Sequence, residues 1–213
     1  MPLRVPPGRA GRPWLLHRLE VARRATDVLD QKRRTLLQRQ RELATQLVTA
    51  QVEWDTVARE AADWLARAKT LSGVRNLRLA GFHSGGPASV QVRWRNSLGV
   101  VHPADAHVEL PVPIDVAALG GSSAVAFAAD AHRRALEAAA RCAVARAAHD
   151  RVARELTTVT RRIRAIEQRW IPRHETALEA LELMLDDVER EEGSRVRWMR
   201  QRVDRNPGTA RKQ

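Results

Sequence analysis

Counted in sevens from Leu15, the first place of each heptad holds Leu15, Ala22, Leu29, Leu36, Leu43, Ala50, Val57, Trp64 and Leu71, all of them apolar. The fifth places hold Leu19, Thr26, Arg33, Gln40, Leu47, Trp54, Ala61 and Ala68, apolar except for the consecutive Thr26, Arg33 and Gln40. An apolar period of about 3.5 residues with charge on most outer positions predicts a coiled-coil helix over residues 1–72, with 1–13 as a flexible lead. The polar trio has two readings. It is either a locally solvated stretch of the seam or a register-setting device that faces a third component.

A second long helix is predicted over 122–203, with Ser122 or Ser123 as its N-cap. Its seam runs through Val152, Leu156, Val159, Ile163, Ile166 and Trp170, then through His174 to Leu178, Leu181, Leu185 and Val188. From Ile166 to Leu178 the steps are all of four residues, where a regular seam alternates three and four. Such a run unwinds a left-handed supercoil locally. Pro172 falls inside it, and proline in a helix interior removes one hydrogen bond and crowds the preceding turn. Pro172 is therefore expected to set a bend or a change of supercoil, supported by Ile166, Trp170 and Ile171.

Between the helices the pattern changes. Residues 73–121 hold the turn-forming stretches "GFHSGGP" and "ELPVP". In "SVQVRW" the residues Val90, Val92 and Trp94 alternate with Gln91, Arg93 and Arg95, the period of a half-exposed strand. "NSLG" then offers a turn before "VVH", so a small β-hairpin is expected, with Val90, Val92 and Trp94 as its partner-facing side. The predicted fold class is mainly α, a long antiparallel two-helix coiled coil with a small β-hairpin insert. Residues 204–213 form a basic tail expected to be disordered.

Composition adds little material for a globular core, since 4% of the 213 residues are aromatic and 29% are charged. The net charge of +12 is unevenly spread. Residues 1–70 carry 14 Lys/Arg against 8 Asp/Glu, and residues 195–213 carry 7 against 1. Because Lys32, Lys69 and Lys212 are the only lysines, nearly all of that charge is guanidinium and persists at any ordinary pH. Nucleic acid, an anionic surface or an acidic protein are the partner classes this balance allows.

Catalytic chemistry is not legible. "GGSS" at 120–123 lacks the lysine and the spacing of a phosphate loop. The seven histidines show no H-x-x-x-H pair on either helix, so no metal and no cofactor is expected. His102 and His107 are expected to be surface residues beside a proline turn. The acidic run "LDDVEREE" is interleaved with arginine, as on a solvated helix face. The lone Cys142 is expected to be a small buried residue of a reducing compartment. Arg4, Arg9, Arg12 and Arg18 interrupt any signal-peptide core, and no apolar run is long enough to span a bilayer. A cytoplasmic, non-catalytic protein is expected.

Three stretches, in order, resemble the D subunit of V-type and archaeal-type rotary ATPases. Thr160, Arg161, Arg162, Ile163, Ala165, Ile166 and Glu167, then Ile171, Pro172 and Arg173, then Glu189, Arg190, Glu191 and Glu192 match the family's C-terminal helix. "LEVARRATDVLDQKRRTLL" is similar to its first helix, with Ala25 where the family has glycine, and "RNSLGVVHP" is similar to its hairpin region.

The resemblance implies a central rotor axle that transmits torque, while ATP chemistry belongs to a hexamer of A and B subunits. It implies further partners: the F subunit of the central stalk and a funnel-like subunit capping the membrane ring. It also implies a peripheral place on the cytoplasmic face of the membrane and coupling of ATP hydrolysis or synthesis to proton or sodium transport, without nucleic-acid binding or membrane insertion. The competing expectation is a basic coiled coil that binds nucleic acid or serves as a scaffold.

Overall fold

The heptad pattern calls for a second apolar stripe to cover the first, and the chain supplies it by folding back on itself. The computed structural model describes residues 4–82, 86–111 and 122–205. A 3-10 turn at Gly8–Ala10 leads into helix α1, Gly11–Phe82. Strands β1, Ser89–Ser97, and β2, Val100–Glu109, follow. Helix α2, Ser123–Ala165, a π-helical turn at Ile166–Trp170 and helix α3, Ile171–Arg205, complete the described chain. The fold is thus two long helical stretches around a two-stranded hairpin, as the sequence predicts. Of the basic tail expected over 204–213, residues 204 and 205 belong to α3, and the rest lies outside the described residues.

Two compact units share these elements: residues 1–31 with 160–213, and residues 32–159. In the first, Arg9 pairs with Glu189 at 3.2 Å, Arg12 with Glu182 at 2.8 Å and Arg23 with Glu175 at 2.8 Å. Numbers rise along α1 as they fall along α3, so the helices are antiparallel. Leu15, Leu19, Ala22, Ile163, His174 and Leu181 are buried here, with Leu29, Ile166, Trp170, Leu178 and Leu185 half-buried. Residues 8–13, expected as a flexible lead, are helical. A Cβ on Gly11 would come within 2.9 Å of Leu181, so α1 begins closely packed on α3. Val188, placed on the seam by its spacing, is 45% exposed, because α1 has already started by the level of Leu181.

In the second unit Lys32 pairs with Glu155 at 2.7 Å, Glu53 with Arg141 at 2.6 Å and Glu60 with Arg134 at 2.7 Å, again antiparallel. The Glu60 carboxylate, hydrogen-bonded to Arg134, raises the pKa of that guanidinium further above its ordinary value. Leu36, Leu43, Ala61, Ala68, Ala138, Cys142, Val152 and Val159 are buried, and Leu47, Trp54, Val57 and Trp64 are half-buried. Trp64 of α1 stacks on Phe127 of α2 with centroids 4.8 Å apart, beside Ala68, Ala124 and Ala128. Cys142 is buried as expected, its thiol donating to Gln51 Oε1 at 3.3 Å.

The seam stops short of one sequence expectation. Leu71 is 70% exposed. Two residues later Gly73 takes φ 74 and ψ 157, a left-handed value that favours glycine, and breaks α1. Leu77 and Ala80, beyond the break, pack on the Ala124–Ala128 cluster instead. The Ser72 and Ser122 hydroxyls meet at 2.5 Å, and Ser122 N–H donates to Ser72 Oγ at 3.3 Å.

Candidate partner-binding surfaces

The hairpin starts from its turn. Ser97 pairs with Val100, leaving Leu98 and Gly99 as a two-residue loop, both with positive φ, 53° and 82°. That is a type I′ turn, whose twist matches antiparallel strands. Asn96 Oδ1 accepts the Gly99 N–H at 3.0 Å and steadies it. Leucine is poorly suited to the first loop place, since its Cβ crowds the carbonyl in the left-handed region. Leu98 nonetheless sits there, exposed to solvent.

The two faces of the hairpin differ in chemistry. On one, Ser89 and Gln91 donate to Glu109 at 2.9 Å each, and Arg93 is ion-paired with Asp105. The hydrogen bond from Arg93, then that from the Ala106 N–H, hold the Asp105 carboxyl below its ordinary pKa. On the other face lie Val90, Val92 and Trp94, with Val108 opposite Val90 and Ala106 opposite Val92. Val90 is 49%, Val92 38% and Trp94 54% exposed, so the residues singled out from the alternation share one open apolar side.

A β-bulge between Arg93 and Trp94 admits Pro103, which cannot donate to a ladder, into β2. His102 beside it is buried rather than at the surface. It is 1% exposed, with its Nε2 3.2 Å from Ser97 Oγ and its Nδ1 3.0 Å from the Pro103 carbonyl. His107 is exposed, as expected. Arg151 of α2, which no periodic pattern singles out, reaches the hairpin and lies over the Trp94 ring.

The stretch just before Pro172, Ile166–Trp170, is a π turn. Ile171 N–H bonds the Ile166 carbonyl, a five-residue closure, while Ala165 and Ile171 keep helical dihedrals. The wider turn holds one more residue than an α-turn. The seam from Ile166 through Trp170 and His174 to Leu178 is likewise one residue longer than a regular 4-3-4 run. Spacing and proline thus meet in one local device.

A second exposed apolar surface lies outside the residues the seam pattern picks out. Val196, Trp198 and Met199 of α3 are exposed, and Arg202 lies over Trp198 at 5.0 Å. The signal was present: the apolar pattern of α3 continues past Glu189, the residue paired with Arg9 just before α1. Among the described residues no group of three or more His, Cys, Asp or Glu could hold a metal ion, and no helix is long and apolar enough to cross a membrane.

Comparison with known proteins gives this architecture a family. Residues 15–201 match the family model for the ATP synthase D subunit. The chain is 28% identical to the D subunit of the V-type ATP synthase of Anaeromyxobacter sp. (strain Fw109-5), over 98% of this chain and 99% of that protein. It is 26% identical to the D subunit of the A-type ATP synthase of Thermococcus gammatolerans, over 97% and 98% of the two chains. It is 28% identical to the D subunit of the V-type proton ATPase of Caenorhabditis briggsae, over 90% and 74%. With its paired helices, central hairpin and near full-length match, the chain belongs to the D-subunit family of V-type and A-type ATPases.

Proposed function

We propose that this chain is the non-catalytic rotor axle of a V-type ATPase or ATP synthase. It transmits torque between a catalytic hexamer of A and B subunits and the ion-translocating ring of the membrane, coupling ATP hydrolysis or synthesis to proton or sodium transport. It works at the cytoplasmic face of the membrane as a peripheral component, without cofactor. The observation that carries this reading is the ladder of cross-helix ion pairs over the packed seam of each unit, from Arg9–Glu189 to Arg23–Glu175 and from Lys32–Glu155 to Glu60–Arg134. Helices locked to one another side by side resist twisting.

In this reading the exposed Val196, Trp198 and Met199, on the part of α3 beyond the Arg9–Glu189 pair, engage the hexamer. The hairpin face of Val90, Val92 and Trp94 engages a central-stalk partner such as the F subunit. A further part of the chain seats on the funnel-like subunit. Basic residues near the N-terminus are committed to the partner helix, as at Arg12 and Arg23, which argues against phosphate binding as their role.

The test is reconstitution. Added to A and B subunits with the remaining stalk and membrane parts, the chain should co-purify with them and restore ATP-driven ion uptake into vesicles. Ion uptake unchanged by its omission would sink the proposal. So would sub-micromolar binding of duplex DNA that falls steeply with salt, the mark of counterion release.

A further inference from the structure

The hairpin is gripped from α2 by one side chain. The Arg151 guanidinium carbon stands 4.8 Å from the centroid of the Trp94 ring, and its Nη1 donates to the Val101 carbonyl at 3.0 Å. Trp94 belongs to β1 and Val101 to β2, so one cation holds both strands. Farther along, Arg133 donates to the Pro111 carbonyl at 2.7 Å, fixing the chain just beyond β2. β1 itself is exposed from Ser89 to Asn96. The buried hairpin positions, Val100, His102 and Pro103, lie beside the turn on the same stretch of β2 that Arg151 reaches.

We propose that Arg151 is a positioning residue, a reversible latch that docks the turn half of the hairpin on α2 and sets the orientation in which Trp94 is offered to a partner. A planar guanidinium can stack on an indole face while one of its N–H groups bonds a carbonyl in its own plane. A lysine ammonium has no such fork. Both contacts are modest in a solvated setting, and together they favour the docked hairpin on the order of tenfold. Apparent affinity for anything that needs the docked hairpin then scales with the docked fraction. The Arg133 tether becomes the pivot when the latch opens. The consequence for assembly rests on the reading of the hairpin as a partner face; the latch itself does not.

Amide hydrogen exchange on the purified full-length chain tests it. In Arg151→Gln, exchange at Val100 and His102 should quicken about tenfold, while the Val152 and Val159 amides and the helical circular dichroism stay as they are. Arg151→Lys should recover only part of the protection. Trp94→Leu should act on the same amides, and the double variant should lose less than the two single losses combined, because both remove one interaction. Hairpin exchange unchanged in Arg151→Gln, or additive losses in the double variant, would overturn the latch. Co-purification of Trp94→Ala with the other ATPase subunits decides the partner reading separately, since that measurement leaves the exchange result untouched.

Discussion

The imidazole of His174 lies nearly parallel to the indole of Trp170, with centroids 3.6 Å apart, and its Nδ1 is 2.8 Å from the Trp170 carbonyl. A histidine that is 3% exposed thereby fills a seam position with an aromatic slab while its polar atom is satisfied one turn back. His174→Ala should destabilise the chain by about 2 kcal/mol through the cavity it leaves. Thermal or urea unfolding would measure it, and a loss within error of zero would mean that the stack contributes nothing to the seam.

The π turn makes two changes separable. Pro172→Ala restores a donor but leaves the extra residue in the Ile166–Leu178 seam, so the π turn should persist. Deleting the exposed Gln168 in the Pro172→Ala background should convert the stretch to regular α-helix and raise the melting temperature. If the wide turn shapes the axle, this second variant should also lower the ratio of ions moved to ATP hydrolysed. A stabler chain with unchanged coupling would reduce the π turn to a tolerated insertion.

Leu98 invites a stabilising change. Leucine in the left-handed region costs about 1–2 kcal/mol, whereas asparagine is at home there. Leu98→Asn should slow amide exchange across the hairpin, by an amount corresponding to roughly 1 kcal/mol. Faster exchange would show that the leucine makes a supporting contact that outweighs its strain.

Asp105 gives the hairpin a pH dependence. Its folded pKa lies below the ordinary 3.8 because the hydrogen bonds from Arg93 and Ala106 favour the carboxylate. The associated stability is thus present above pH 3.8 and fades as the pH falls through the lower folded value. Hairpin resonances followed by NMR should lose dispersion in that acid window. Asp105→Asn should remove that pH dependence; a hairpin that melts identically in both proteins would contradict the assignment.

Much of this was legible because a seam is a one-dimensional pattern. Leu15, Leu36, Leu43, Val159, Ile163 and Leu181 are buried as their spacing requires. Leu71 and Val188 are exposed because spacing continues past the point where the other helix is there to cover it. The steps of four residues announced an irregularity at Pro172, and its form as a π turn is what one extra residue requires. His102 escaped because its burial depends on the bulge and on Ser97. Arg151 escaped because contacts that reach Val101 and Trp94 from 50 or more positions away leave no periodic trace.

The bond between Ser72 and Ser122 has a wider meaning. These residues stand at the Gly73 break in α1 and at the entry to α2, so the whole intervening stretch begins and ends at one knot. Because closing a loop becomes only slowly costlier with length, residues can be added to or taken from that stretch without sliding one long helix against the other. The hairpin is in this sense a cassette: it can be tailored to a new neighbour while the helices that carry it keep their alignment.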